Sequence, residues 1–63
     1  MPIITIELLE GRTVDQKREM AKRITEVITD VVKVPPDTVE IIFNDMKMGN
    51  FSKGGTLFID RKI

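Results

Sequence analysis

The spacing of apolar residues changes twice along the chain, and these changes restrict the folds it can adopt. Residues 2–9 alternate so that Ile4, Ile6 and Leu8 share one face, and residues 39–44 alternate in the same way. Such alternation is typical of β-strands. Residues 14–32 instead carry apolar side chains at steps of three and four, as an amphipathic helix does. The sequence predicts one α/β (α+β) domain, 1–63, built as a right-handed β-α-β crossover with parallel strands.

The helix has recognisable ends. Thr13 followed by Gln16 fits a capping box, and Pro35 and Pro36 cannot continue a helix, so we expect it to end near Lys33. Its predicted packing stripe consists of the apolar residues Val14, Met20, Ala21, Ile24, Val27, Ile28, Val31 and Val32.

The C-terminal part has weaker signals. We expect one helical turn in residues 46–49, a turn at Gly54-Gly55 and a short strand in residues 56–60. Together they predict a short C-terminal β-hairpin.

The length of the chain favours self-association. At 63 residues, it is near the lower limit for independent folding. It has no Cys and no His, which excludes disulfides and the usual zinc sites. Two parallel strands under one helix leave the other sheet face uncovered, and Ile3, Leu9 and Ile42 would line that face. We therefore expect a symmetric oligomer.

Charge and hydropathy exclude several classes of partner. Ten basic and ten acidic residues cancel, which gives no reason to expect nucleic acid or an anionic membrane. No apolar run approaches the roughly 20 residues of a membrane span. The N-terminal residues do not resemble a secretion signal, so we expect a cytoplasmic protein.

Few groups in this chain are candidates for a catalytic role. Without His, Cys or a recognisable serine elbow, triads and thiol nucleophiles are excluded. Removal of Met1, favoured by a small second residue, would leave Pro2 with a free secondary amine. An α-amino group titrates near neutrality, at about 7.7–8.0, and can serve as a general base. No residue pattern calls for a cofactor.

Arg12 and Phe51 are the other candidates. Arg12 follows the first strand, where its guanidinium could make a bidentate contact with a carboxylate, or simply pair with Glu10 at the surface. Phe51 could form an apolar pocket wall, or pack in a core or an interface.

Several segments together closely resemble the 4-oxalocrotonate tautomerase family. They are the N-terminal Met-Pro-Ile, Leu9-Glu10-Gly11-Arg12-Thr13, Asp15-Gln16-Lys17, Asn44-Asp45-Met46, Gly49-Asn50-Phe51 and Gly54-Gly55. The resemblance implies a homohexamer, a trimer of dimers, and cofactor-independent keto–enol proton transfer on 2-oxo acids. It also implies that Pro2 is the general base, that Arg12 binds a substrate carboxylate and that Phe51 lines the pocket.

Strand length adds a constraint on such a site. Residues 2–9 span about 23 Å at roughly 3.3 Å per residue. Arg12 lies beyond the far end, so Pro2 and Arg12 would act on one small substrate only if they came from different subunits.

Glu40 departs from the family pattern, in which members acting on dicarboxylate enols carry an arginine. A carboxylate there would repel an anionic substrate and raise the pKa of the Pro2 amine. One alternative is water addition by a hydratase- or dehalogenase-like reaction, with cationic Pro2 as acid and Glu40 orienting water. In another, Glu40 points to solvent and pairs with a lysine. A third is a non-catalytic oligomeric subunit.

Overall fold

The predicted β-α-β order is confirmed. The computed structural model describes residues 1–61. Strand β1 (Ile3–Leu9) leads into helix α1 (Val14–Val32), which returns the chain to strand β2 (Glu40–Met46). A small hairpin of β3 (Ser52–Lys53) and β4 (Thr56–Leu57) follows, with 3₁₀ turns at Pro36–Thr38, Met48–Asn50 and Phe58–Asp60.

The two long strands pair in parallel without a bulge. Ile3 lies opposite Glu40 at one end, and Leu9 lies opposite Met46 at the other. Because the strands are in register, Ile4, Ile6 and Leu8 lie half-buried on the helix side, as the alternation predicts. Consequently the start of β1 lies beside the start of β2, and both strands end together.

The predicted helix ends are confirmed. The Gln16 N–H donates to the Thr13 hydroxyl at 3.0 Å, and the Thr13 N–H donates to the Gln16 side chain at 2.9 Å. At the other end, Lys33 adopts a left-handed conformation with φ 64° and donates its N–H to Thr29. This geometry closes the helix before the two prolines.

The predicted packing stripe is wrong in part. Val14, Val27, Val31 and Val32 are between 53% and 71% exposed, whereas Met20, Ala21, Ile24 and Ile28 are half-buried. A sheet of two strands is only about 10 Å wide, so it covers the middle of the helix face and leaves its flanks open.

The C-terminal strand is shorter than predicted. β4 ends at Leu57, because its partner β3 offers only Ser52 and Lys53 for pairing. Residues 58–60 form a 3₁₀ turn instead. The turn expected in residues 46–49 begins at Met48, since Met46 still pairs with Leu9. Gly54 and Gly55 form the hairpin turn, both at positive φ.

The protomer has no interior. No side chain in residues 1–61 is fully buried. Ile3 and Ile42 on the uncovered sheet face are 51% and 47% exposed, as expected, while Leu9 is half-buried. The radius of gyration is 15.1 Å, against about 11 Å for a compact chain of this length. In the part of the chain described, no helix has the length and apolar character needed to cross a membrane.

Candidate active site

Pro2 occupies the open start of the sheet. It directly precedes β1, is half-buried, and follows Met1, which is 77% exposed. The Pro2 carbonyl accepts a hydrogen bond from the Glu40 N–H at 3.0 Å. This bond fixes the residue against β2, while the ring restricts its own φ. Pro2 is therefore anchored at the start of the sheet next to an exposed residue.

Glu40 is the backbone neighbour of Pro2, but its side chain is exposed on the uncovered face. It pairs with Ile3, which is exposed on that same face. The pleat places the side chain of Pro2 on the helix side, because neighbouring residues alternate. Glu40 forms no ion pair within residues 1–61, so the lysine pairing considered above is absent among them.

Arg12 lies at the opposite end of β1. It is exposed in the loop between β1 and α1 and forms no ion pair with any other residue described. Its predicted alternative partner, Glu10, uses its carboxylate elsewhere: the Met48 N–H donates to it at 3.0 Å. The guanidinium of Arg12 thus keeps its donors for a ligand or another chain.

Glu10 also joins two loops, which the sequence did not indicate. Its N–H donates to the Met46 carbonyl at 2.8 Å, in addition to the carboxylate contact with Met48. The loop that carries Arg12 is therefore tied to the turn that leads to Phe51.

Phe51 packs against a second aromatic ring. The Phe51 and Phe58 ring centroids are 5.4 Å apart with planes tilted by 57°. The guanidinium carbon of Arg61 lies 5.2 Å from the centre of the Phe58 ring. Sequence reasoning missed Phe58 and Arg61, because their proximity to Phe51 depends on the hairpin; the one available signal was an aromatic residue on each side of Gly54-Gly55.

A cleft of about 560 Å³ runs along α1 beside Arg12. Both of its strand residues belong to β1 and none to β2, so it follows the edge of β1 that has no paired neighbour. Its lining is Ile6, Leu8, Arg12, Gln16, Glu19, Met20, Arg23 and Ile24.

One ion pair is prominent in the cleft. Arg23 donates to Glu19 at 2.6 Å, and this hydrogen bond together with the charge of Arg23 lowers the pKa of the Glu19 carboxyl. Glu19 therefore stays ionised at neutral pH. Across residues 1–61, no group of three or more acidic side chains is arranged to hold a metal ion.

The predicted site residues form two separate groups. Pro2 and Glu40 lie at the start of the sheet, whereas Arg12 and Phe51 follow the strand ends at the other side. The intervening β1 spans about 23 Å. A single chain therefore does not bring Pro2 and Arg12 to one small molecule.

Comparison with known proteins gives a consistent result over most of the chain. The family described as "Tautomerase enzyme" matches residues 2–61. A probable tautomerase of Listeria monocytogenes is 40% identical over 55 residues, covering 87% of this chain and 90% of the relative.

Two solved structures extend the comparison. A 4-oxalocrotonate tautomerase isozyme from Methylibium petroleiphilum is 43% identical, with a TM-score of 0.85 over 92% of this chain and 91% of that one. A heterohexamer 4-oxalocrotonate tautomerase from Chloroflexus aurantiacus is 26% identical, with a TM-score of 0.87 over 98% of this chain and all (100%) of that one.

Proposed function

Because the chain belongs to the tautomerase family, we propose that it is a cofactor-independent isomerase that interconverts the enol and keto forms of a 2-oxo acid. Pro2 is its general base once Met1 has been removed. With Met1 attached, the Pro2 nitrogen is an amide and cannot accept a proton, so processing is a condition of activity.

The observation that carries this proposal is the position of Pro2. Its carbonyl accepts a hydrogen bond from the Glu40 N–H at 3.0 Å, and the preceding residue Met1 is exposed. Loss of Met1 exposes a secondary amine whose ring and backbone are already fixed. A base held in place loses little entropy when it meets its substrate.

The reaction needs only proton movements. The neutral Pro2 amine accepts the proton of the enol hydroxyl. The electron pair of that O–H bond forms the C=O bond of the 2-oxo group, while the π pair of the enol C=C bond moves to the adjacent carbon. The resulting ammonium returns one proton to carbon, which restores the base. Arg12 holds the substrate carboxylate through paired N–H donors, and Phe51 provides an apolar wall.

The proposed site requires self-association, as a homohexamer arranged as a trimer of dimers. Pro2 and Arg12 lie at opposite ends of β1, so Arg12 and Phe51 reach Pro2 from a neighbouring subunit. Three features support association: the protomer has no buried side chain in its described part, the outer edge of β1 is unpaired, and Ile3 and Ile42 expose an apolar face. A hexameric relative has the same fold.

The test is a comparison of Pro2→Ala with the matched control Pro36→Ala, which lies in an exposed turn. Ketonisation of 2-hydroxymuconate and phenylenolpyruvate is followed by ultraviolet absorbance, with Met1 removal verified by mass spectrometry. We expect Pro2→Ala to lose at least about tenfold in kcat/KM. This is less than the roughly 10²- to 10⁴-fold contribution of a positioned base, because the variant keeps a primary terminal amine. Pro36→Ala should retain the native rate. A full rate in Pro2→Ala would show that Pro2 is not the base.

Water addition to an unsaturated acid is the second candidate, and it rests on the presence of an acidic residue, Glu40, next to Pro2 across the sheet. A carboxylate near the amine stabilises the ammonium, which suits an acid rather than a base. Titration of ¹⁵N-labelled Pro2 by NMR separates the two. A pKa well above about 8 supports water addition, and one below about 7 supports the base, relative to an ordinary α-amino group. Met1 retained on protein from its native source would instead support a non-catalytic subunit.

A further inference from the structure

Three side chains of the C-terminal segment form an ordered stack. The Phe51 and Phe58 ring centroids are 5.4 Å apart, and the Arg61 guanidinium carbon lies 5.2 Å from the centre of the Phe58 ring. The backbone holds the same residues: the Phe58 N–H donates to the Phe51 carbonyl at 2.8 Å, and the Arg61 N–H to the Phe58 carbonyl at 3.2 Å. Their geometry is therefore set by main-chain bonds as well as by side-chain contact.

Within residues 1–61, the side chain of Arg61 makes neither a hydrogen bond nor an ion pair, so the Phe58 ring is its partner there. A cation over a ring face is attracted by the ring quadrupole and restrains the ring's orientation. Phe51 and Phe58 are both only half-buried. The stack thus presents oriented aromatic surface to its surroundings.

The stack lies at the same end of the protomer as Arg12. Glu10 connects the Arg12 loop to residues 46–48 through its N–H and its carboxylate. Phe51 follows that turn directly. A subunit that brings Arg12 and Phe51 to a neighbour's Pro2 therefore brings Phe58 and Arg61 as well.

We propose that Phe51, Phe58 and Arg61 form a specificity subsite for a flat apolar or aryl substituent on a monocarboxylic 2-oxo acid or its enol. This inference rests on the proposed function. Arg12 holds the carboxylate head, Phe58 contacts the substituent together with Phe51, and Arg61 is a positioning residue that orients Phe58. Glu40 adds a negative charge at the Pro2 end, which disfavours a second carboxylate on the substrate.

The test measures binding of two unreactive acids, 3-phenylpropanoate and 3-cyclohexylpropanoate, to the full assembled protein by calorimetry. They share the carboxylate head and differ in ring planarity. Phe58→Leu removes the aromatic ring but keeps apolar volume. We expect this variant to bind 3-phenylpropanoate about three- to tenfold more weakly, which is the range for one aromatic contact. Its affinity for 3-cyclohexylpropanoate should fall by less than about twofold.

Arg61 is tested by a matched pair of variants. Arg61→Gln should bind 3-phenylpropanoate about two- to fivefold more weakly. Arg61→Lys should recover most of this affinity because it restores a cation over the ring. Lys53→Gln, which removes a charge from the same hairpin, should change neither affinity. The Arg61 pair also serves if Phe58→Leu fails to assemble, since Arg61 is exposed.

Equal losses for both acids, or no loss for either, would overturn the subsite. So would a larger kcat/KM loss in these variants with 2-hydroxymuconate than with phenylenolpyruvate, since that pattern indicates an anion site. Binding of the unreactive acids does not depend on Pro2 as a base. A fully active Pro2→Ala protein would therefore contradict the role of Pro2 as base. The ratio of the affinities for 3-phenylpropanoate and 3-cyclohexylpropanoate would still test whether the subsite exists.

Discussion

At the scale of single residues, Glu40 is the residue whose charge bears most directly on the proposed substrate. Its N–H is bound to the Pro2 carbonyl, and its carboxylate is exposed on the uncovered sheet face. In the proposed assembly we expect that face to meet another subunit, which would put the charge at a boundary between chains. An acidic group there would repel a substrate with two carboxylates more strongly than a substrate with one.

We expect Glu40→Gln to raise kcat/KM for the dicarboxylate 2-hydroxymuconate relative to phenylenolpyruvate. One exposed charge accounts for about 0.2–1 kcal/mol, so the ratio should rise by up to about fivefold. Glu26→Gln removes an exposed carboxylate from α1 and should leave the ratio unchanged. An unchanged ratio in Glu40→Gln would place its carboxylate away from the substrate.

Sequence reasoning at this scale identified residues by chemical type and not by their surroundings. Pro2 and Arg12 were predicted because a terminal amine and a guanidinium have distinctive chemistry. Phe58 and Arg61 were missed because their relation to Phe51 exists only once the hairpin has formed. Glu10 was considered a partner of Arg12, but its carboxylate accepts from the Met48 N–H.

At the scale of elements, two reciprocal side-chain hydrogen bonds hold the start of α1. The Thr13 hydroxyl accepts from the Gln16 N–H at 3.0 Å, and the Gln16 side chain accepts from the Thr13 N–H. We expect Thr13→Ala to destabilise the fold by about 1 kcal/mol and to lower Tm by about 4–8 °C. Thr13→Ser keeps the hydroxyl and should lie close to the native Tm. Melting curves should be compared at one protomer concentration, because dissociation shifts Tm. Equal melting of all three proteins would contradict a stabilising role for the cap.

The elements themselves were largely predictable, because local signals fix them. Alternation located β1 and β2, and caps and prolines located the ends of α1. The prediction failed where strand pairing or packing determines the structure. β4 stops at Leu57 because β3 has only two residues to pair with it. Val27 and Val31 stay exposed because two strands are narrower than the apolar face of the helix.

At the scale of the whole molecule, the protomer is an extended body of 44 × 23 × 15 Å without a buried side chain in its described part. Its stability should therefore depend on association. We expect Tm to rise with protein concentration, and Ile42→Asp to shift the assembly towards smaller species in light scattering. Lys22→Asp, which places an acidic side chain on the exposed face of α1, should leave the mass unchanged. A stable folded monomer in dilute native solution would refute this prediction.

The separation of Pro2 and Arg12 along β1 has a genetic consequence. If each site takes its amine from one chain and its guanidinium from another, two defective chains can restore each other. In randomly mixed assemblies of Pro2-deficient and Arg12-deficient chains, about one site in four receives both intact groups. After a gene duplication, each copy could lose a different half of the site without loss of the reaction. Selection would then preserve the pair, and neither product would be active alone.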